Sequence, residues 1–99
     1  MLNDHIAVEK IVDGLIRIST SLRVGDGIDF PLINRLIEEL NEYAKKNSEE
    51  DHVPKIMAEA FLDTFPSIES FASHYDDSIA QNIRQASDMI GIAIREVLS

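Results

Sequence analysis

Apolar residues in this chain recur every three or four positions almost from end to end, and almost nowhere every two. That spacing stacks them along one side of an α-helix, whereas a half-buried strand needs strict alternation. A chain of 99 residues supports one domain, since the core of a second would be too small to be stable. The expectation is therefore an all-α fold, an antiparallel bundle of four or five helices forming a single domain over residues 1–99.

Helix ends are marked by residues with the right local chemistry. A first helix starts near Asn3 or Asp4, carries Ala7, Ile11, Leu15, Ile18 and Leu22 with Val8, Val12 and Ile16 beside them, and stops at Val24-Gly25-Asp26-Gly27. A second is capped by Asp29, with Pro31 in its first turn, where a missing N–H is harmless. Its stripe is Ile33, Leu36, Ile37, Leu40 and Ala44, with Tyr43 at the edge. Lys45 and Lys46 suit the negative end of its dipole before Asn47-Ser48 breaks the pattern. A third opens at Asp51, has Pro54 in its first turn, and presents Val53, Ile56, Met57, Ala60, Phe61 and Phe65. Pro66 interrupts it. Thr64 or Ser67 then caps a short fourth helix with Ile68, Phe71, Ala72 and Tyr75, and the pattern leaves open whether this is separate or one kinked helix. Asp76 or Asp77 caps the last helix, which shows Ile79, Ile83, Ala86, Ile90, Ala93 or Ile94, and Val97. The β-branched run around Ile90 to Ile94 keeps the helical period on both flanks and reads as helix.

Nine basic residues face eighteen acidic ones, for a net charge of −9, and the surplus is localised. Residues 1–25 and 78–99 are each balanced, residues 26–51 carry −5 and residues 52–77 carry −4. Such a chain is repelled by nucleic acid and anionic lipid, both of which call for clustered Lys and Arg. Asp29, Asp51 and Asp76 or Asp77 have a use as helix caps. Glu38 and Glu42, and likewise Glu59 and Asp63, stand one turn apart, where like charges destabilise a helix by a few tenths of a kcal/mol. A solvated helix face accounts for such pairs. The alternative is a negative patch, including Glu39, held for a basic partner.

Sites for chemistry are not legible. There is no cysteine, so disulfides, thiolate nucleophiles and thiolate metal sites are excluded. His5, His52 and His74 have no metal-ligand spacing. The Gly25–Gly27 connector lacks the lysine and spacing of a phosphate loop and the oxygen ladder of a calcium loop. Ser73-His74-Tyr75-Asp76 contains the letters of a triad on residues that do not face one another on a helix. A histidine phosphotransfer role is opposed by the two acids after His74. No catalytic, cofactor-binding or metal residue is assigned, and the chain is not read as an enzyme. No basic start precedes an apolar run, and the longest such run, Met89 to Ile94, is far short of the roughly 20 residues that cross a bilayer. The expected setting is cytoplasmic, away from membranes.

Two apolar features bear on partners. Phe61, Phe65, Phe71 and Tyr75 form two one-turn pairs around Pro66, read as core filling with interface anchoring as the alternative. Met89, Ile92 and Leu98 lie outside the main stripe of the last helix, so that helix is either central or bears a dimer patch, and Gly91 permits close approach of a neighbour.

In size, charge and helical pattern the chain resembles the small all-helical immunity proteins of bacterial contact-dependent growth inhibition and bacteriocin systems. The segment Pro31-Leu32-Ile33-Asn34-Arg35-Leu36 is similar to the helical bundles that protect against pediocin-like bacteriocins. The resemblance implies an inhibitor that blocks a toxin by binding it. Nuclease toxins are basic because they grip phosphate backbones, so the expected partner is a basic toxin domain, met through Glu38, Glu39, Glu42, Glu59 and Asp63. The second expectation is an adaptor, chaperone or regulatory subunit with an exposed apolar groove near Met89 and Ile92. A monomer or weak homodimer fits either.

Overall fold

A computed structural model of the chain describes residues 2–50 and 52–99, the side chains of residues 2–4 excepted. The described residues form four α-helices and one 3₁₀ turn, with no strand among them: α1 Leu2–Arg23, α2 Phe30–Lys46, α3 Lys55–Ser70, the 3₁₀ turn Phe71–His74, and α4 Asp77–Leu98. The capping expected of Asn3, Asp4 and Asp51 falls outside the described residues.

The expected stripes supply one continuous core. Ile11, Leu15 and Leu22 of α1, Ile33, Leu36 and Leu40 of α2, Met57 and Ile68 of α3, and Ile83 and Ile90 of α4 are all but completely buried. Burying an aliphatic side chain of this size stabilises by about 1.5–3 kcal/mol, so the shared interior is the main source of stability. α1 packs on α2 and α3, and α4 packs on the same two helices, which places α2 and α3 at opposite corners. The molecule measures 42 × 22 × 20 Å. That is the cross-section of two helices by two, each about 10 Å thick.

Local chemistry sets the ends. Gly25 and Gly27 take φ of +87° and +77°, which lets the chain leave α1 and turn into α2. Asp29 and Asp76 cap α2 and α4: their carboxylates accept the N–H of Leu32 at 3.5 Å and of Ile79 at 3.2 Å. At the end of α2 both the backbone and the side-chain amide of Asn47 donate to the Tyr43 carbonyl, each at 3.0 Å.

Two expectations need correction, and one open alternative is settled. The third helix begins at Lys55, later than Asp51. Pro54 is extended, at φ −55° and ψ 141°, and stands at the N-cap with only its carbonyl joining the helix, through Met57 and Ala58. Of the two arrangements left open around Pro66, the structure shows the continuous one: α3 runs through Pro66 to Ser70 and passes directly into the 3₁₀ turn. A hydroxyl ladder accompanies this passage. Thr64 donates to the Ala60 carbonyl, Ser67 to Thr64, Ser70 to Ser67 and Ser73 to Ser70. The four hydroxyls stand three residues apart and bond carbonyls three or four residues back, the last of them within the 3₁₀ turn. Finally, the stripes were drawn slightly too wide: Ile16 and Ile56 are half exposed or more, while Tyr43, expected at an edge, is buried.

Two contacts bind the halves of the chain. The Tyr75 hydroxyl donates to the Leu22 carbonyl at 2.7 Å and accepts the Gly27 N–H at 3.3 Å, tying the α1–α2 connector to the lead-in of α4. Gly91 is buried in α4 beneath the Phe65 ring of α3, and a Cβ there would meet Phe65 Cζ at 3.0 Å. The close approach expected at Gly91 is thus made by α3. Replacing Tyr75 by Phe removes both bonds and is expected to lower stability by about 1 kcal/mol, read as a lower urea midpoint at unchanged slope. Gly91→Leu drives its side chain into the Phe65 ring, and the same measurement should show a loss of about 2 kcal/mol.

Candidate functional site

The five acidic residues singled out from the sequence are all on helix exteriors, divided between α2 and α3. Glu38 and Glu42 of α2 are exposed and Glu39 is half-buried, while Glu59 and Asp63 of α3 are both exposed. Two ion pairs form among the described residues, Arg17–Asp13 at 3.0 Å and His5–Glu9 at 3.1 Å when His5 is protonated. None of the five takes part in either. Since α2 and α3 occupy opposite corners, the five make two separate faces.

The two faces differ in what surrounds the carboxylates. On α2, Glu38, Glu39 and Glu42 share a shallow depression with Arg35 and Lys45, and Glu39 and Glu42 share another with Lys46 and with Lys10 of α1. Arg35, Lys45 and Lys46 equal the three glutamates in number, so this surface is mixed in sign and near neutral. The surplus of residues 26–51 resides instead in Asp26, Asp29, Glu49, Glu50 and Asp51, before and after the helix. On α3, Lys55 is the one base, and Glu59, Asp63 and Glu69 follow it without another. α3 therefore keeps a net charge of −2, with Lys55 one turn before Glu59, whereas the three glutamates of α2 are matched by three bases of the same helix.

α3 also exposes apolar groups between its acids. Leu62 is 77% exposed and Ile56 57%, and Pro66 lies at the surface one turn beyond Leu62. Ile56, Glu59 and Asp63 follow one another at three- and four-residue steps, as do Glu59, Leu62 and Pro66, so all lie on the outer side. Leu62 was overlooked in the sequence because it falls outside every core stripe. That same position, one large apolar residue among acids on the outer side of the wheel, was the available signal.

Other groups are engaged locally. Ser73 donates to the Ser70 carbonyl, His74 packs its ring 6.3 Å from that of Phe71, and the Asp76 carboxylate holds the start of α4. Ser73, His74 and Asp76 thus resemble a triad in letters alone. Among the described residues no three His, Asp or Glu side chains gather in a way that could hold a metal ion. His52 stands exposed at the rim of a cleft of about 360 Å³ between the C-terminal ends of α2 and α4. Phe61 is buried, and Phe65, Phe71 and Tyr75 pack partly buried against the core, so the aromatics fill the interior. On α4, Met89 is half-buried and Ile92 is 60% exposed. Among the described residues no helix is long and apolar enough to cross a membrane. No protein-family model, no curated protein and no solved structure matches the chain.

Proposed function

We propose that the chain is an inhibitor of the immunity type, which binds a basic toxin domain, of nuclease chemistry, and covers the cleft through which that domain grips nucleic acid. The scaffold is an antiparallel bundle, working in the cytoplasm, and the binding face is the exterior of α3. The observation that carries this reading is the union on one rigid helix of unpaired carboxylates, Glu59 and Asp63, with the exposed side chain of Leu62. Carboxylates steer a basic surface inward and fix its orientation, and a desolvated apolar anchor supplies the residence time. Glu38, Glu39 and Glu42, interleaved with cations, contribute at the margin. Like charges one turn apart are a small burden on α3 that a binding role explains.

The test takes as partner a basic nuclease domain sought among the reading frames beside this gene, with cleavage of nucleic acid as the readout. An equimolar amount of the chain should abolish cleavage at low salt and inhibit progressively less as salt rises. Glu59→Lys with Asp63→Lys should weaken binding by about a hundredfold, mainly through slower association, and Leu62→Ala by about tenfold through faster dissociation. Glu38→Lys with Glu42→Lys should change affinity by less than about threefold. Unaltered binding by the α3 double variant would remove the basis for this face. Binding that persists in high salt and fails with Ile92→Asp would favour the adaptor instead. Asp63→Asn separates stability from function: it should raise thermal stability slightly, by a few tenths of a kcal/mol, while inhibition becomes weaker.

A further inference from the structure

An aspartate followed by glycine is open to attack by its own backbone. The nitrogen of the next residue can reach the side-chain carbonyl carbon and close a five-membered succinimide ring, and glycine has no Cβ to obstruct the approach. The chain contains two such pairs, Asp13-Gly14 and Asp26-Gly27. By sequence they are equivalent, and the fold separates them.

Asp13-Gly14 lies in the middle of α1. There each backbone N–H is spent on the carbonyl four residues back, so the nitrogen is not free to attack. The Asp13 carboxylate is bound to Arg17 at 3.0 Å, and Gly14 is buried against Leu36, whose Cδ1 would stand 3.3 Å from an added Cβ. Asp26-Gly27 lies in the connector between α1 and α2, outside any helix. Asp26 is exposed and joins neither of the two ion pairs. Its N–H donates to the Ser21 carbonyl at 2.9 Å, beside the Gly25 bond to Leu22 at 3.3 Å, which anchors the approach side of the pair to the end of α1. On the other side the Gly27 N–H donates to the Tyr75 hydroxyl at 3.3 Å. A Cβ at Gly27 would meet nothing within 4 Å, so there is room for a ring.

We propose that Asp26-Gly27 is a site of spontaneous covalent modification, at which the connector converts to isoaspartate, and that the Tyr75 hydroxyl sets the pace by holding the attacking nitrogen. In the first step the Gly27 nitrogen bonds to Asp26 Cγ. The hydroxyl of the Asp26 carboxyl leaves with the proton of that nitrogen as one water. In the second step water adds back to the ring. Breaking the bond from nitrogen to Cγ restores aspartate. Breaking the bond from nitrogen to the main-chain carbonyl carbon routes the chain through the side chain and frees the α-carboxylate. Water is the only co-reactant, and no electron is gained or lost. Mass and charge number end unchanged, while the main chain is one atom longer. The nitrogen must leave the phenolic oxygen before it can attack, so the bond from Gly27 to Tyr75 is a restraint on the reaction. This site is independent of the inhibitor reading and is separately testable.

Peptide mapping of the whole folded chain, incubated at neutral pH and compared with a fresh sample, supplies the test. Trypsin cuts after Lys10, Arg17, Arg23 and Arg35, which puts the two pairs on separate peptides, residues 11–17 and 24–35. The 24–35 peptide should develop a second species of equal mass, with altered retention and the fragment ions of a β-linkage, while 11–17 stays unchanged. In urea both peptides should convert, at similar rates. Tyr75→Phe should speed conversion of 24–35 about fivefold, the rate equivalent of one net hydrogen bond. It should leave 11–17 unaltered, which distinguishes a freed nitrogen from general unfolding. Asp26→Glu should abolish the new species, because its ring would be six-membered, and this separates Asp26 from Asp29 in the same peptide. A folded 24–35 that stays unaltered while the unfolded chain converts overturns the proposal. So does equal conversion of both peptides in the folded chain, or a Tyr75→Phe variant that converts no faster.

Discussion

Everything in this molecule depends on four helices each giving one side to a common interior. Ten aliphatic side chains lie in that interior almost without solvent contact, and no disulfide or recognisable metal cluster assists them among the described residues. A small domain has little stability to spare, so the interior side of every helix is committed to packing. Whatever the protein does is left to the outward sides. These are fixed in relative position by the same packing, which holds α2 and α3 at opposite corners with α1 and α4 between them.

The three outward faces have diverged under that constraint. α2 mixes its glutamates with Arg35, Lys45 and Lys46 and behaves as an ordinary solvated surface. α3 places the exposed carboxylates of Glu59 and Asp63 beside the exposed apolar side chains of Leu62 and Ile56. α1 is neutral and apolar where it borders α3.

Much of this architecture was readable from spacing. The 3.6-residue period located the core of every helix, and Asp29, Asp76, Gly25 and Gly27 marked ends because their side chains, or lack of them, solve local problems that any helix has. Pro66 was harder to read. Proline alone argues for a break, and the continuity of α3 is accompanied by Thr64, Ser67, Ser70 and Ser73, whose hydroxyls bond carbonyls a turn behind. The Asp51 start misled because a good cap and a helix-compatible proline stand there, yet Pro54 remains extended. For the site, segment charge located the acids but not their company. Whether a glutamate is offset depends on bases brought near by the fold, as Lys10 of α1 is brought to Glu39 and Glu42. An apolar groove between α1 and α3 depends in the same way on Ile56 meeting Ile6 and Ile16 across two helices, a juxtaposition that no single helical wheel contains.

The Tyr75 hydroxyl bridges residues 53 and 48 positions apart in the chain, Leu22 and Gly27. Neither half of the chain can make these bonds alone: α1 and the connector after it supply the acceptor and the donor, and the segment joining α3 to α4 supplies the phenol. The bonds therefore form only where two distant parts of the chain have been brought together, and each closes a loop of about fifty residues. One phenolic oxygen thus adds a polar cross-link between two parts of the chain that the common core already unites.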